Sequence, residues 1–437
     1  MSVHLGVRRE DKNIWERRVP ITPEHVRQLQ EEHDIKVWVQ PSEIRVFRDE
    51  EFVQAGARVE EDLSPCPVVL AVKEIPAHFF RPGHTYVFFA HVIKGQPYNM
   101  PMLSALLELG CQLIDYEKAT DKQGRRLIFF GRHAGLAGMI DTLWALGQRL
   151  DWEGIPNPFS DLRQTRYYDG LDEAKAAVTA VGERIAREGL PEQITPLICG
   201  FAGYGNVFRG ANEIIELLPV REVEPREVAA VSQSSDYARD VVYKVVFKEK
   251  HTVEPVPPDA RFELQDYYDH PEKYRPVFNA YLPHLTLLVN CTYWEPKYPR
   301  LVTKADVKQL YGETEPPRLH VIGDISCDIE GAIESTVKCT EPGDPVYVYD
   351  PFEDRAVDGF EGRGPVVLAV DILPSELPRE ASEYFGDVLM QYIPAIARAD
   401  YSVPFEKLAL PPEIKRAVIV YQGELTPDYR YLEEFLP

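Results

Sequence analysis

Cysteine is scarce in this chain and never closely spaced: Cys66, Cys111, Cys199, Cys291, Cys327 and Cys339 lie far apart, with no CxxC pair. That spacing argues against a zinc site and a disulfide framework, so reduced, mostly buried thiols and no bound metal are expected. No apolar run approaches the roughly 18 residues of a membrane span. The opening MSVHLGVRREDKNIWERR also lacks the basic, apolar and small-residue order of a secretory leader, so a cytoplasmic protein is expected. Positive charge is in deficit, with 48 Lys and Arg against 70 Asp and Glu and a net charge of −22. A surface of that sign repels phosphate backbones and anionic membranes, which excludes nucleic acid and membrane as partners. Any anionic substrate therefore needs a local basic pocket. Internal repeats and low-complexity tracts are absent.

What is present is the material of two ordinary globular domains. At 437 residues the chain exceeds the roughly 250–300 at which one hydrophobic core stops growing, so two domains with a cleft between them are expected. SVHLGV, IKVWVQ, PVVLAVKEIP, TYVFFAHVI and CQLIDYEKA read as strands, alternating with helical segments such as TPEHVRQLQEEHD and NMPMLSALLELG. This alternation is the signature of an open, mostly parallel α/β sheet. The first domain is placed at 1–150, with a long helix at 135–154 leaving it. A second α/β domain spans 155–370, with strands in TPLICGF, HLTLLVNCTYW and RLHVIGDIS. The charged, Tyr- and Pro-rich stretch at about 232–278 reads as an insertion, and 377–399 as a second long helix.

The segment ICGFAGYGNVFRGANEIIELLP holds Gly203 and Gly205 between a strand and a helix. Free N–H groups and the helix dipole at such a junction attract a pyrophosphate. Glu224 lies 21 positions after Gly203, near the spacing of the carboxylate that binds a dinucleotide ribose. The third glycine of GxGxxG is replaced by Phe208, leaving Gly210 for the packing role. Glu224 alone favours NAD, whereas Arg221 and Arg226 beside it suit the 2′-phosphate of NADP. The first domain has no such cradle and so is assigned the substrate. Its strand ends carry Lys73, His91, Lys94 and Glu117, with Arg17, Arg18, Arg125 and Arg126 nearby. Cations gathered at C-terminal strand edges are well placed for ligands, because open α/β sheets bind there.

The segments RREDKNIWERRVPITP, VKEIP, FFAHVIKGQ, LIDYEKATDKQGRR, GRHAGLAGM, AGYGNVFRGA, NCTYW, GDISCDIEGAIE and LPREASEYFGD cover nearly the whole chain. Through them the sequence resembles the lysine–2-oxoglutarate reductase (saccharopine-forming) domain of aminoadipic semialdehyde synthases. It resembles fungal saccharopine dehydrogenase and alanine dehydrogenase more distantly. The resemblance implies two Rossmann-like domains, the C-terminal segment at about 375–437 returning to complete the first. It also implies that the helices at 135–154 and 377–399 form a hinge, and that the chain is a free-standing reductase.

The implied reaction joins the ε-amine of L-lysine to 2-oxoglutarate and reduces the imine to saccharopine with NADPH, NAD(H) being the alternative cofactor. Lys73 and His91 match the acid–base pair, while Arg18, Lys94 and Arg126 match residues at or near the substrate carboxylates. Glu117 matches a carboxylate that tunes the lysine. Gly203, Gly205, Asn206 and Val207 are implied to hold the pyrophosphate, with Cys291, Tyr293 and Asp324 beside ribose and nicotinamide. The chemistry agrees with these roles: losing water from a carbinolamine needs a proton donor, and the attacking amine must first lose a proton. The other readings are an NAD-dependent saccharopine dehydrogenase working toward lysine, another opine or alanine dehydrogenase-like imine reductase, and a dinucleotide-binding regulator without turnover. Homo-oligomerisation is left open.

Overall fold

The computed structural model describes residues 3–312 and 317–437. The chain divides into two compact units, one running to Phe130 and resuming at Pro378, the other spanning Gly131–Leu377. Each is built on an eight-stranded sheet, and together they form the two-domain Rossmann-like α/β architecture expected from the alternation of elements.

In the first unit six parallel strands are β1 (Val3–Val7), β2 (Ile35–Val39), β3 (Arg58–Val59), β4 (Val68–Leu70), β5 (Thr85–Phe88) and β6 (Gln112–Asp115). Ser2, which begins the predicted first strand, lies outside the described residues. The sheet order is β6-β5-β4-β1-β2-β3, and the returning strand Val418–Tyr421 pairs antiparallel with β6. β4, β5 and β6 are buried along their whole length. This is why VVL, TYVF and QLID read as continuous runs and not as alternating ones. The chain visits β1, β2 and β3 on one side, then crosses back to β4, so the topology switches direction between β1 and β4. Ligands bind beyond the carboxyl ends of strands at such a point.

The second unit places β7 (Ile198–Ala202), β8 (Val220–Glu222), β9 (Val242–Phe247), β10 (Leu287–Asn290) and β11 (Val321–Asp324) in the order β8-β9-β7-β10-β11. Val366–Leu368 continues the sheet in parallel, and Val346–Asp350 and Arg355–Asp358 close it antiparallel. Here the direction switches between β7 and β10.

Three expectations need correcting. The first boundary falls at 130/131 and not near 150, because the helix Gly131–Trp152 buries most of its surface inside the second unit. Its Gly135 and Gly210 of the helix Asn206–Ile215 let these two helices touch: a Cβ on Gly135 would sit 1.9 Å from the Val207 carbonyl, and one on Gly210 1.9 Å from that of Arg132. Gly210 thus performs the packing task assigned to it. The predicted helix 377–399 is two helices, Pro378–Met390 and Ile393–Arg398. Pro394 in the first turn of the second has no N–H to continue the first. Finally, the stretch 232–278 is an insertion only in part. Its VYKVVF is β9, hydrogen-bonded in parallel to β7 on one side and β8 on the other. The added part begins after Phe247 and contains the antiparallel pair Val253–Pro255 and Tyr274–Pro276, with Phe262, Tyr267, Tyr274 and Tyr298 packed together.

Candidate active site

At the switch point of the first unit, a carboxylate bridges the two strand ends. The backbone N–H groups of Val72 and Lys73, just past β4, donate to Glu10 at 2.7 and 2.9 Å, and Glu10 follows β1. Burial, reinforced by nearby Glu16, pushes the Glu10 carboxyl up to about 7 in spite of those two bonds. Lys73 is pulled below the usual lysine range by burial and by the Arg18 charge, with Glu16 and Glu74 opposing. Its amine is thereby brought closer to the neutral, proton-accepting form.

His91 sits three residues past β5 at φ 48°, a left-handed conformation rare for residues other than glycine. Asn99 holds that turn by donating to the Ala90 and His91 carbonyls, each at 3.1 Å. Glu74 ties the histidine to the lysine's strand end: His91 Nδ1 lies 2.7 Å from Glu74 Oε1, and Lys12 Nζ lies 2.9 Å from both Glu74 oxygens. Burial would raise the Glu74 carboxyl, but the bonds from His91 and Lys12 win and hold it well below the ordinary range. An ionised Glu74 can only accept, so Nδ1 carries the proton and Nε2 is the nitrogen free to exchange one.

Arg18 is buried and forked onto Glu16, with Nε at 2.7 Å and Nη2 at 2.5 Å, and its guanidinium lies 4.3 Å from the Phe130 ring centre. Arg18 holds Glu16 below the usual carboxylate range against the upward push of burial. Arg126 pairs with Glu117, whose backbone N–H donates to buried Asp115 at 2.9 Å. Lys94 is exposed on the turn after His91. Thus Lys73, His91 and Arg18 meet in one network, Arg126 and Glu117 form a second pair, and Lys94 joins neither through a side-chain bond. Sequence reasoning gave no role to Glu10, Glu16 or Glu74. Their signal was present in carboxylates interleaved with the arginines of RREDKNIWERR and in the glutamate directly after Lys73.

The second unit's switch point is made mainly of backbone. Gly203 follows β7 at φ 93°, and a Cβ there would lie 2.9 Å from the Cys291 carbonyl. Only glycine suits that position. A Cβ on Gly205 would meet nothing within 4 Å, leaving the entrance to the helix Asn206–Ile215 open, with Asn206 and Val207 in its first turn. Such a junction fits a pyrophosphate. Across the switch, the Asn290 amide donates to Asp324 Oδ1 at 2.8 Å, and Thr336 Oγ1 donates to Oδ2 at 2.6 Å. Burial still pushes the Asp324 carboxyl up to about 6. Cys291 is buried and its thiol driven upward by that burial, whereas Tyr293 is 71% exposed and donates to Glu295 at 2.6 Å.

Two carboxylates lie after the strands on this side of the cradle. β8, which leads to Glu224 and Arg226, is the outer strand, separated from β7 by β9. The strand beside the cradle ends at Phe247, whose carbonyl accepts from the Gly203 N–H at 3.1 Å. The carboxylate there is Glu249, held by the Tyr204 hydroxyl at 3.1 Å and the Tyr268 hydroxyl at 2.7 Å. Glu224, at the expected spacing of about 20 residues, follows the outer strand β8, and Glu249 follows the strand adjacent to β7.

A glycine-lined strand–helix junction on one Rossmann-like sheet and a cluster of titratable side chains on the other fit an oxidoreductase with a nicotinamide cofactor. Residues 6–137 match the family model described as alanine dehydrogenase/PNT, N-terminal domain, and residues 291–428 match its C-terminal domain. Together these stretches are more than half of the sequence, and the chain belongs to that family. It is 38% identical to alpha-aminoadipic semialdehyde synthase of Arabidopsis thaliana and 37% identical to the mitochondrial enzyme of that name from Rattus norvegicus. In each case 98% of this chain is aligned, with 41% and 47% of the relative. The chain therefore spans less than half the length of these relatives. A saccharopine dehydrogenase (NAD(+), L-lysine-forming) from Yarrowia lipolytica is 27% identical over 91% of this chain and 93% of its own. Among solved structures an L-alanine dehydrogenase superposes with a TM-score of 0.63 at 17% identity, covering 99% of this chain and 100% of its own, and so shares the fold.

Proposed function

We propose that the chain condenses the ε-amine of L-lysine with the keto carbon of 2-oxoglutarate and reduces the imine with NADPH to saccharopine, as a step of lysine degradation. The observation that carries this reading is Glu74, which receives His91 at 2.7 Å and whose charge also acts on Lys73 beside it, so that one carboxylate influences both proton carriers. The names of the relatives support the choice of lysine and saccharopine.

Lys73, with its depressed proton affinity, takes the proton from the incoming ammonium so that the amine can attack. His91 then delivers a proton to the carbinolamine hydroxyl, which leaves as water, and Glu74 stabilises the charged imidazole while it waits. Arg18 engages Glu16 through Nε and Nη2, so its Nη1 is the donor for a substrate carboxylate; Arg126 serves a second one. Gly203, Gly205, Asn206 and Val207 hold the pyrophosphate through backbone N–H groups. Bound NADPH supplies the hydride that reduces the imine carbon. The preference for NADPH is supported by Lys248 and Lys250, which flank Glu249 next to the cradle and suit a 2′-phosphate.

The decisive assay follows reduced-cofactor oxidation by the purified protein, with NADPH and NADH in parallel. Oxidation is expected only when lysine and 2-oxoglutarate are both present. Turnover with ammonia and pyruvate but not lysine would establish an alanine dehydrogenase-like reaction instead. Cofactor binding without turnover for any amine and keto acid would establish a regulator.

A further inference from the structure

Past the end of β11 two thiols lie together that the sequence separates by twelve positions. Cys327 Sγ is 3.6 Å from Cys339 Sγ. Cys327 is buried, at φ 51°, with its thiol 2.8 Å from the Ala369 carbonyl. Cys339 is the exposed cysteine among six free ones, and its neighbour Thr340 is pinned by an N–H bond of 2.8 Å to the same Ala369 carbonyl. One carbonyl thus holds the Cys327 sulfur and the backbone next to Cys339, with one thiol reachable from solvent and the other shielded behind it.

We propose that Cys339 and Cys327 form a reversible peroxide-responsive dithiol, Cys339 reacting with the oxidant and Cys327 resolving the product into a disulfide. The Cys339 thiolate attacks hydrogen peroxide, the O–O bond breaks, and the sulfur is oxidised to sulfenic acid with release of hydroxide. The Cys327 thiol then attacks that sulfur; the S–O bond breaks, the S–S bond forms, and the thiol proton leaves with the hydroxyl as water. Two thiols and one peroxide give one disulfide and two waters. The sulfurs must close by about 1.5 Å to reach bonding distance, within reach of side-chain rotation. The adjacent Cys327 thiol holds Cys339 below the ordinary thiol range, which favours its thiolate as the first attacker. The link would close the loop that carries Thr336, whose hydroxyl holds Asp324, so oxidation acts on the strand end facing the cofactor cradle.

The test treats the native full chain with stoichiometric hydrogen peroxide. Intact mass should fall by about 2 Da, two of the six thiols should become unreactive, and peptide mapping should find Cys327 joined to Cys339. Dithiothreitol should reverse all three changes. Cys339→Ser, with an unaltered melting temperature and turnover, should lose the 2 Da change. A sulfinic or sulfonic acid on Cys339 with Cys327 still a thiol, or the same mass loss in Cys339→Ser, would overturn the proposal.

Discussion

The two units use the same topological device for opposite ends. At the first switch point the groups around the strand ends are ionisable and incompletely neutralised: Glu10, Glu16, Arg18, Lys73, Glu74 and His91 form one network in which burial and neighbouring charge move proton affinities in both directions. At the second, space is created by Gly203 and Gly205, and the one buried acid, Asp324, has hydrogen bonds on both oxygens. A sheet edge that is to move protons must keep groups close to their titration points. An edge that only holds a ligand does better with fixed donors and no side chain in the way.

If that division is real, the largest effects on turnover belong to the first edge alone. Lys73→Met and His91→Gln should each lower turnover by roughly 10²-fold, or about 2.7 kcal/mol, while leaving the dissociation constant of the nicotinamide cofactor unchanged. The double variant should cost much less than the product of the two, since both serve one proton-transfer sequence and the Glu74 charge acts on each. Multiplicative losses, or a weakened cofactor, would break the comparison.

Stability against pH gives the next largest effect, and it separates two buried aspartates. Asp115, at the end of β6, is pushed up to about 7 by burial, with the Glu117 N–H opposing. Its Oδ2 has no hydrogen-bond partner. Because the folded state holds this proton more tightly than the unfolded chain, the contribution is complete below about pH 4 and is lost as pH rises through about 7. Between about pH 5 and 7 it should cost about 2 kcal/mol, and Asp115→Asn should flatten that slope in urea unfolding curves. Asp324, pushed up only to about 6, should contribute less over the same interval. An unchanged slope in Asp115→Asn would assign the dependence elsewhere.

The fold was legible where strands are continuous apolar runs and the cradle where glycines interrupt one, because burial on both faces and positive φ each constrain residue type directly. Lys73 and His91 were visible for the same reason, as polar residues ending apolar runs. What could not be read was pairing. VYKVVF looked like part of an insertion because its partners β7 and β8 are supplied from elsewhere in the chain. Glu10 and Glu74 carried no role in the sequence, because only the pairing of β1 with β4 sets Glu10 against the strand end that precedes Glu74. The proximity of Cys327 to Cys339 rests on a loop closure that no spacing rule encodes.

The strand order makes a third prediction. Glu249→Gln should change cofactor affinity about tenfold, in a direction that distinguishes NAD(H) from NADP(H), because removing the carboxylate weakens a free-ribose contact and relieves repulsion of a 2′-phosphate. Glu224→Gln should leave both affinities almost unaltered, since its strand is one removed from the cradle. Equal effects at the two positions would mean that the dinucleotide reaches across β9, and the ribose assignment would move back to Glu224.

The smallest effect separates the two arginines within the first unit. Arg18 is buried, stacked over Phe130 and committed to Glu16 in a planar fork, so lysine can replace neither its geometry nor its second donor. Arg126 is half exposed and pairs with Glu117 through one nitrogen, an arrangement that a lysine ammonium can approximate. Arg18→Lys should therefore raise the Michaelis constant of a carboxylate substrate by about tenfold, and Arg126→Lys by only about threefold, each without altering cofactor affinity. Measuring both constants with lysine and 2-oxoglutarate varied in turn assigns each guanidinium to a substrate. An Arg126→Lys profile identical to the parent for both substrates would remove Arg126 from the site and leave Arg18 as the carboxylate anchor of this edge.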